Sequence, residues 1–214
     1  MVVDIGTGSG SAVLRRAARE PGTLFISLDA DANAMADASR RAARPTRRGG
    51  RHNVVYLAAA AEALPGDLCG IADEVTIILP WGALLAAVLD PGSATVTGIA
   101  QVLKHSGEMT LLVSTEKRDG IAGAIELDAS AALELAQRYD AAGFETVELR
   151  PASRSDVEQL SSGWGRRLGI PERRQAWLFR CRCVQIAEPF VFGGNTVVAA
   201  FAATAAGEGP SAPK

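Results

Sequence analysis

The chain opens on an apolar run, Met1 to Ile5, which closes on Asp4 and breaks into Gly6-Thr7-Gly8-Ser9-Gly10 before a helix-like stretch from Ser11 to Glu20 ended by Pro21-Gly22. A glycine turn between a strand and a helix lets the backbone come close to a ligand at the helix N-terminus, and it commits the segment to a βα unit. Leu24 to Leu28 reads as the next strand and ends at Asp29-Ala30-Asp31. An acid at that point, 19 residues after Gly10, is placed to accept hydrogen bonds from ribose hydroxyls. The dinucleotide fingerprint G-x-G-x-x-G is not met, because the third position after Gly8 is Ser11. The phosphate-cradling pattern therefore fails, and a nicotinamide oxidoreductase is the least supported reading.

Apolar runs continue to alternate with helix-like segments, the pattern of a mostly parallel sheet with helices on both faces. After an Ala-rich helix from about Ala32 to Ala43 come strands at Val54 to Ala58 and Glu74 to Leu79, the latter stopping at Pro80-Trp81-Gly82. Helices follow through about Leu89 and near Ala94 to Leu103, then a strand at Glu108 to Ser114. A helix at Ala129 to Ala142, a strand at Phe144 to Leu149 and a last strand inside Ala176 to Val184 complete seven strands. Residues 1–192 are expected to form one α/β domain, and 193–214 a small-residue-rich extension whose end is disordered. The three cysteines, Cys69, Cys181 and Cys183, are an odd count without paired CxxC motifs. They are expected to be reduced, buried thiols rather than disulfides or zinc ligands.

A net charge of −2 hides a strong segregation. Arg40 to His52 contains six arginines (Arg40, Arg41, Arg44, Arg47, Arg48 and Arg51) and no acid, whereas Arg150 to Arg182 holds eight arginines against three acids. Nineteen of the 22 basic residues are arginine, whose planar fork suits phosphate contacts and base stacking. No run approaches the roughly 18 apolar residues of a membrane span, and the N-terminus lacks the layout of a secretory signal. A cytoplasmic chain is expected.

The D-I-G-T-G-S-G segment, with an acid two residues before the first glycine, resembles motif I of class I S-adenosylmethionine-dependent methyltransferases. The resemblance implies their Rossmann-like fold. It also implies that Asp4, Gly6, Thr7, Gly8 and Gly10 serve the amino acid end of S-adenosylmethionine, Asp29 its ribose, and Ala61 and Glu62 its adenine, with Leu79 a further cofactor contact. The substrate side is expected at the end of strand four, where ligands of open α/β sheets bind. Enzymes that methylate exocyclic amines of adenine carry N/D-P-P-Y/F there, and Leu79-Pro80-Trp81 has no such polar residue. It offers an indole suited to stacking on an extruded base. A second tryptophan, Trp164, sits in S-S-G-W-G-R-R, expected to be a polar loop.

Together, L-P-W-G-A-L-L, Y-D-A-A-G-F and G-W-G-R-R-L, in order over about residues 2–182, resemble the kanamycin–apramycin resistance methyltransferases, which modify N1 of adenosine 1408 in 16S rRNA. The resemblance implies that Trp81 and Trp164 sandwich the flipped adenine, with Ser162 near cofactor and target. It further implies that Arg44, Arg47, Arg48 and Arg51, and Arg166, Arg167 and Arg174, grip rRNA of the 30S subunit, the enzyme acting as a monomer. The family carries a hairpin ahead of its first strand that has no counterpart before Asp4. N1 of adenine bears a free lone pair, so no catalytic base is needed; His52 and His105 are expected at the surface and Trp177 in the core. Two other readings stand beside this one: a small-molecule S-adenosylmethionine-dependent methyltransferase, and an inactive, N-terminally truncated paralogue that binds RNA or cofactor.

Overall fold

A computed structural model describes residues 1–116, 119 and 126–184. Within them lie seven strands: β1 (Val2–Ile5), β2 (Phe25–Asp29), β3 (Val54–Ala58), β4 (Ala72–Ile78), β5 (Leu103–Val113), β6 (Phe144–Pro151) and β7 (Trp177–Cys183). They form one sheet in the order β3-β2-β1-β4-β5-β7-β6. β7 pairs antiparallel with both β5 and β6, and the other pairs are parallel. The order reverses between β1 and β4, and it is outside the carboxyl ends of such neighbours that an open sheet leaves a crevice.

The period-2 alternation of side chains divides the core. Val2 and Phe25 point to one face, where they pack with Val13, Leu14 and Ala17 of α1 (Ser11–Arg19) and with Met35, Ala38 and Ala42 of α2 (Ala32–Ala42). Val3, Ile5, Ile26 and Leu28 point to the other. That side is covered by α3 (Gly82–Val88), α4 (Ala94–Val102) and α5 (Ala129–Ala141) through Leu85, Ile99, Leu135 and Tyr139. Asp31 starts α2 by accepting hydrogen bonds from the Asn33 and Ala34 amides, so its role is that of an N-cap.

Most element positions match the expectation within two residues. β5 does not: it begins at Leu103 rather than Glu108, and Ser106, at φ 62°, lies inside its span. The polar stretch before β7 is not a plain loop either. It forms two short helices, α6 (Arg154–Gln159) and α7 (Gly163–Leu168). α6 opens on a capping box made by Ser153 and Asp156. At Gly165 an added Cβ would lie 2.8 Å from Val157, so the glycine allows α7 to pack tightly on α6.

Cys181 and Cys183 are buried, but Cys69 is exposed, because it closes a one-turn 3-10 helix at the surface. Trp177 is buried, and its indole N–H donates to the Leu127 carbonyl at 2.7 Å. Among the described residues no helix is long and apolar enough to cross a membrane. The expected extension, 193–214, and the end of the expected domain, 185–192, lie outside the described residues.

Candidate active site

A cavity of about 1050 Å³ opens at the carboxyl ends of β1, β2 and β4, with the α6–α7 turn and α7 as its far wall. Its floor is the turn after β1. Gly6 and Gly8 have φ of 73° and 59°, which favour glycine, and nothing lies within 4 Å of where a Cβ on Gly8 would be. The backbone is thus bare toward the cavity. The Gly8 amide donates to Asp29 Oδ2 at 2.7 Å, and the Asp31 amide to Asp29 Oδ1 at 2.9 Å, so the second acid is fixed at the rim of the turn.

Asp4 is only 8% exposed and lines the same cavity. Its Oδ1 accepts a hydrogen bond from Thr76 Oγ1 at 2.5 Å, and burial pushes its pKa up against the pull of the Thr76 and Thr7 hydroxyls. The nearby cation Arg16 is engaged with Glu20 and Glu74. A buried carboxylate held mainly by hydroxyls and facing a cavity suits a ligand's ammonium group, and Asp29 suits a diol. With Ala61 and Glu62 on the third side, the donor set fits S-adenosylmethionine.

Of the expected cofactor residues, Asp4, Gly6, Thr7, Gly8, Asp29, Ala61, Glu62 and Leu79 all line the cavity. Gly10 does not, and this corrects the expectation. It is buried at φ 65°, a Cβ there would enter the Tyr56 ring, and its carbonyl accepts from the Tyr56 hydroxyl at 3.1 Å. Thr76 joins the site without having been expected. Its signal was one of register, since it pairs with Asp4 across β1 and β4.

The two tryptophans stand on the cavity wall, 54% and 48% exposed. Each follows a strained residue. Leu79 has φ 52° and donates its amide to the Leu112 carbonyl at 2.7 Å; Ser161, three residues before Trp164, has φ 56°. For non-glycine residues the left-handed region costs about 1–3 kcal/mol, a cost that concentrates at functional sites. Trp81 caps α3, while Trp164 lies in α7, which corrects its expected place in a loop. Ser162 borders the cavity, yet its Oγ accepts from the Gly165 amide at 2.9 Å and caps α7.

The arginines separate by burial. Arg44, Arg47 and Arg48 are exposed and Arg51 half-buried around the one-turn helix Thr46–Arg48, in the segment between α2 and β3. Arg166 and Arg167 are exposed at the cavity rim. Arg174 departs from the expectation: it is 5% exposed, its Nε donates to Ser114 Oγ at 2.8 Å, and its guanidinium pairs with Asp119. Its charge is consumed inside the fold. His52 and His105 are exposed and neither lines the cavity; His52 bonds Thr46 at 2.8 Å. The described residues contain no cluster able to hold a metal ion.

The family model NpmA, 16S rRNA (adenine(1408)-N(1))-methyltransferase, matches residues 1–182. The chain is similar to the 16S rRNA (adenine(1408)-N(1))-methyltransferase of Escherichia coli, with 29% identity over 180 residues, 80% of this chain and 82% of that one. It is similar to the enzyme of the same name from Streptoalloteichus tenebrarius, with 33% identity over 78% of this chain and 80% of the other. Among solved structures, a tryptophan-to-alanine variant of the Catenulisporales acidiphilia enzyme with its cosubstrate SAM superposes with a TM-score of 0.77, 28% identity and 88% coverage of each chain. The 16S rRNA methyltransferase KamB gives 0.77 at 31% identity, covering 85% of this chain and 86% of that one.

Proposed function

The chain belongs to the 16S rRNA (adenine(1408)-N(1))-methyltransferase family, and from that membership we propose how its own residues carry out the reaction. It is an S-adenosylmethionine-dependent enzyme that methylates N1 of adenosine 1408 in 16S rRNA, the modification through which this family confers aminoglycoside resistance. The observation that supports the assignment of roles is a single cavity with two carboxylates and a bare glycine turn at its floor and two exposed indoles on its wall.

Asp4 takes the ammonium of the cofactor and Asp29 its ribose hydroxyls, while Gly6, Thr7 and Gly8 let it lie against the backbone. When bound, S-adenosylmethionine supplies an electrophilic methyl group on a sulfonium. Trp81 and Trp164 stack on the two faces of the extruded adenine and aim N1 at that methyl. N1 has an in-plane lone pair and gives up no proton, so the absence of either histidine from the cavity is consistent with the chemistry. As the ring gains positive charge its attraction to the indoles grows, so the clamp favours the transition state over the ground state.

Arg44, Arg47, Arg48 and Arg51 on one side, and Arg166 and Arg167 on the other, hold rRNA phosphates. The 30S subunit is the partner, and the enzyme works in the cytoplasm as a monomer. Transfer of labelled methyl to 30S subunits tests the reading. Incorporation is expected into subunits with adenosine at position 1408 and not into subunits with guanosine there; equal labelling of both would refute it.

A further inference from the structure

Helix α1 carries two arginines one turn apart, Arg15 and Arg19, whose side chains reach the α6–α7 turn rather than solvent alone. Arg15 Nη2 donates to the Ser161 carbonyl at 2.5 Å. Arg19 Nη2 donates to the Gln159 carbonyl at 3.0 Å and to Ser161 Oγ. All these acceptors lie in the four residues that lead into α7. Ser161 is the residue at φ 56°, Ser162 caps α7, and Trp164 is the second residue of that helix.

These contacts hold against local repulsion. Partial burial, together with Arg166, Arg19 and Arg41, lowers the pKa of Arg15. A guanidinium in such company needs a fixed acceptor to stay in place, and the Ser161 carbonyl is one. The same bonds help keep Ser161 in a region that non-glycine residues avoid.

We propose that Arg15 and Arg19 are positioning residues that pin the 159–162 turn to α1 and thereby set the place of Trp164 over the cavity. The proposal rests on the reading of Trp164 as a base-stacking residue. Gly10, where the glycine turn ends, is the N-cap of α1, so the helix that carries the pin is continuous with the floor of the cavity. The stacked base and the methyl donor then share a single reference. That matters because a misplacement of about 1 Å costs about a hundredfold in rate.

The test uses the whole protein labelled with 5-fluorotryptophan, which gives one fluorine resonance each for Trp81, Trp164 and Trp177, read without RNA or cofactor. In Arg15→Ala/Arg19→Ala the Trp164 resonance is expected to shift or broaden while the other two stay. Single-turnover methylation of 30S subunits is expected to fall about tenfold to a hundredfold. Arg15→Lys/Arg19→Lys keeps the charge but loses the Nη2 groups that make these contacts, so it is expected to retain 30S affinity and still move the Trp164 resonance. An unmoved Trp164 resonance in the alanine pair would overturn the proposal, and a loss of 30S affinity alongside it would make the two arginines phosphate contacts. Movement of all three resonances in both pairs would also overturn it, as a general loosening. Because the fluorine signal needs no substrate, it decides the pin even if adenosine 1408 is not the acceptor.

Discussion

Replacing Trp164 with alanine is expected to remove one of two stacking platforms and little else. The side chain is half exposed, so its loss opens no core cavity and the free energy of unfolding should change by no more than about 0.5 kcal/mol. Asp4, Gly8 and Asp29 lie on the floor, on other elements, so affinity for S-adenosylhomocysteine should stay within about twofold of wild type. Stacking a base on an aromatic ring is worth about 1–3 kcal/mol, and about 1.4 kcal/mol in a barrier is tenfold in rate. The methylation rate should therefore fall by about fivefold to 150-fold. Single-turnover transfer with enzyme in excess over 30S subunits measures that rate, and calorimetric titration measures the cofactor. Trp164→Phe keeps a π-face and should recover most of the loss. Transfer at the wild-type rate in Trp164→Ala would refute the clamp, and a parallel loss of cofactor affinity would place Trp164 in the cofactor pocket instead.

Other perturbations reach the floor and the supports of the cavity. Asp4 is buried with a raised pKa, so its ionised form destabilises the fold above the ordinary carboxylate value of 3.8. Asp4→Asn should raise the melting temperature at pH 7, with the difference shrinking as pH falls toward 3.8, and should weaken cofactor binding by about tenfold to a hundredfold; thermal scans and titration check both. Asp156 is the opposite case. The two-pronged Arg150 pair at 2.7 and 2.8 Å holds its carboxyl well below 3.8, so its contribution is full above that pH and is lost as pH falls through the lower folded value. Asp156→Asn should cost about 2 kcal/mol at pH 7, less than a fully buried pair because Arg150 is 38% exposed, and the gap should close in acid denaturation. Gly8→Ala should cost about 1–2 kcal/mol for its backbone conformation alone. Gly10→Ala should cost about 2–4 kcal/mol, because its Cβ would also meet the Tyr56 ring; urea unfolding separates the two.

The parts of the site that the chain order spells out are legible in the sequence. Asp4, the glycine turn and Asp29 are local signals, each set by a strand end and the turn after it, and they lie where the spacing put them. The Leu79-Pro80-Trp81 stop is equally local. Trp177 was legible as core because it sits in an apolar, strand-length run. What long-range pairing decides was not legible. Arg174 looks like any other arginine of its basic stretch until Asp119, 55 residues earlier, is brought to its guanidinium. Gly10 belongs to the glycine motif, but its service to Tyr56 depends on how β3 lies beside α1. Helices α6 and α7 are six residues each, too short to show an apolar period, and Gly163 and Gly165 mask α7 as a loop. The reach of Arg15 and Arg19 to Ser161 spans 146 and 142 residues, beyond any local pattern.

The most direct test of the central claim is primer extension on 16S rRNA from 30S subunits incubated with the protein and S-adenosylmethionine. A methyl on N1 blocks Watson–Crick pairing, so a single new reverse-transcriptase stop at adenosine 1408 is the expected result. Full-length extension through that position, in a preparation shown to bind the cofactor, would contradict it.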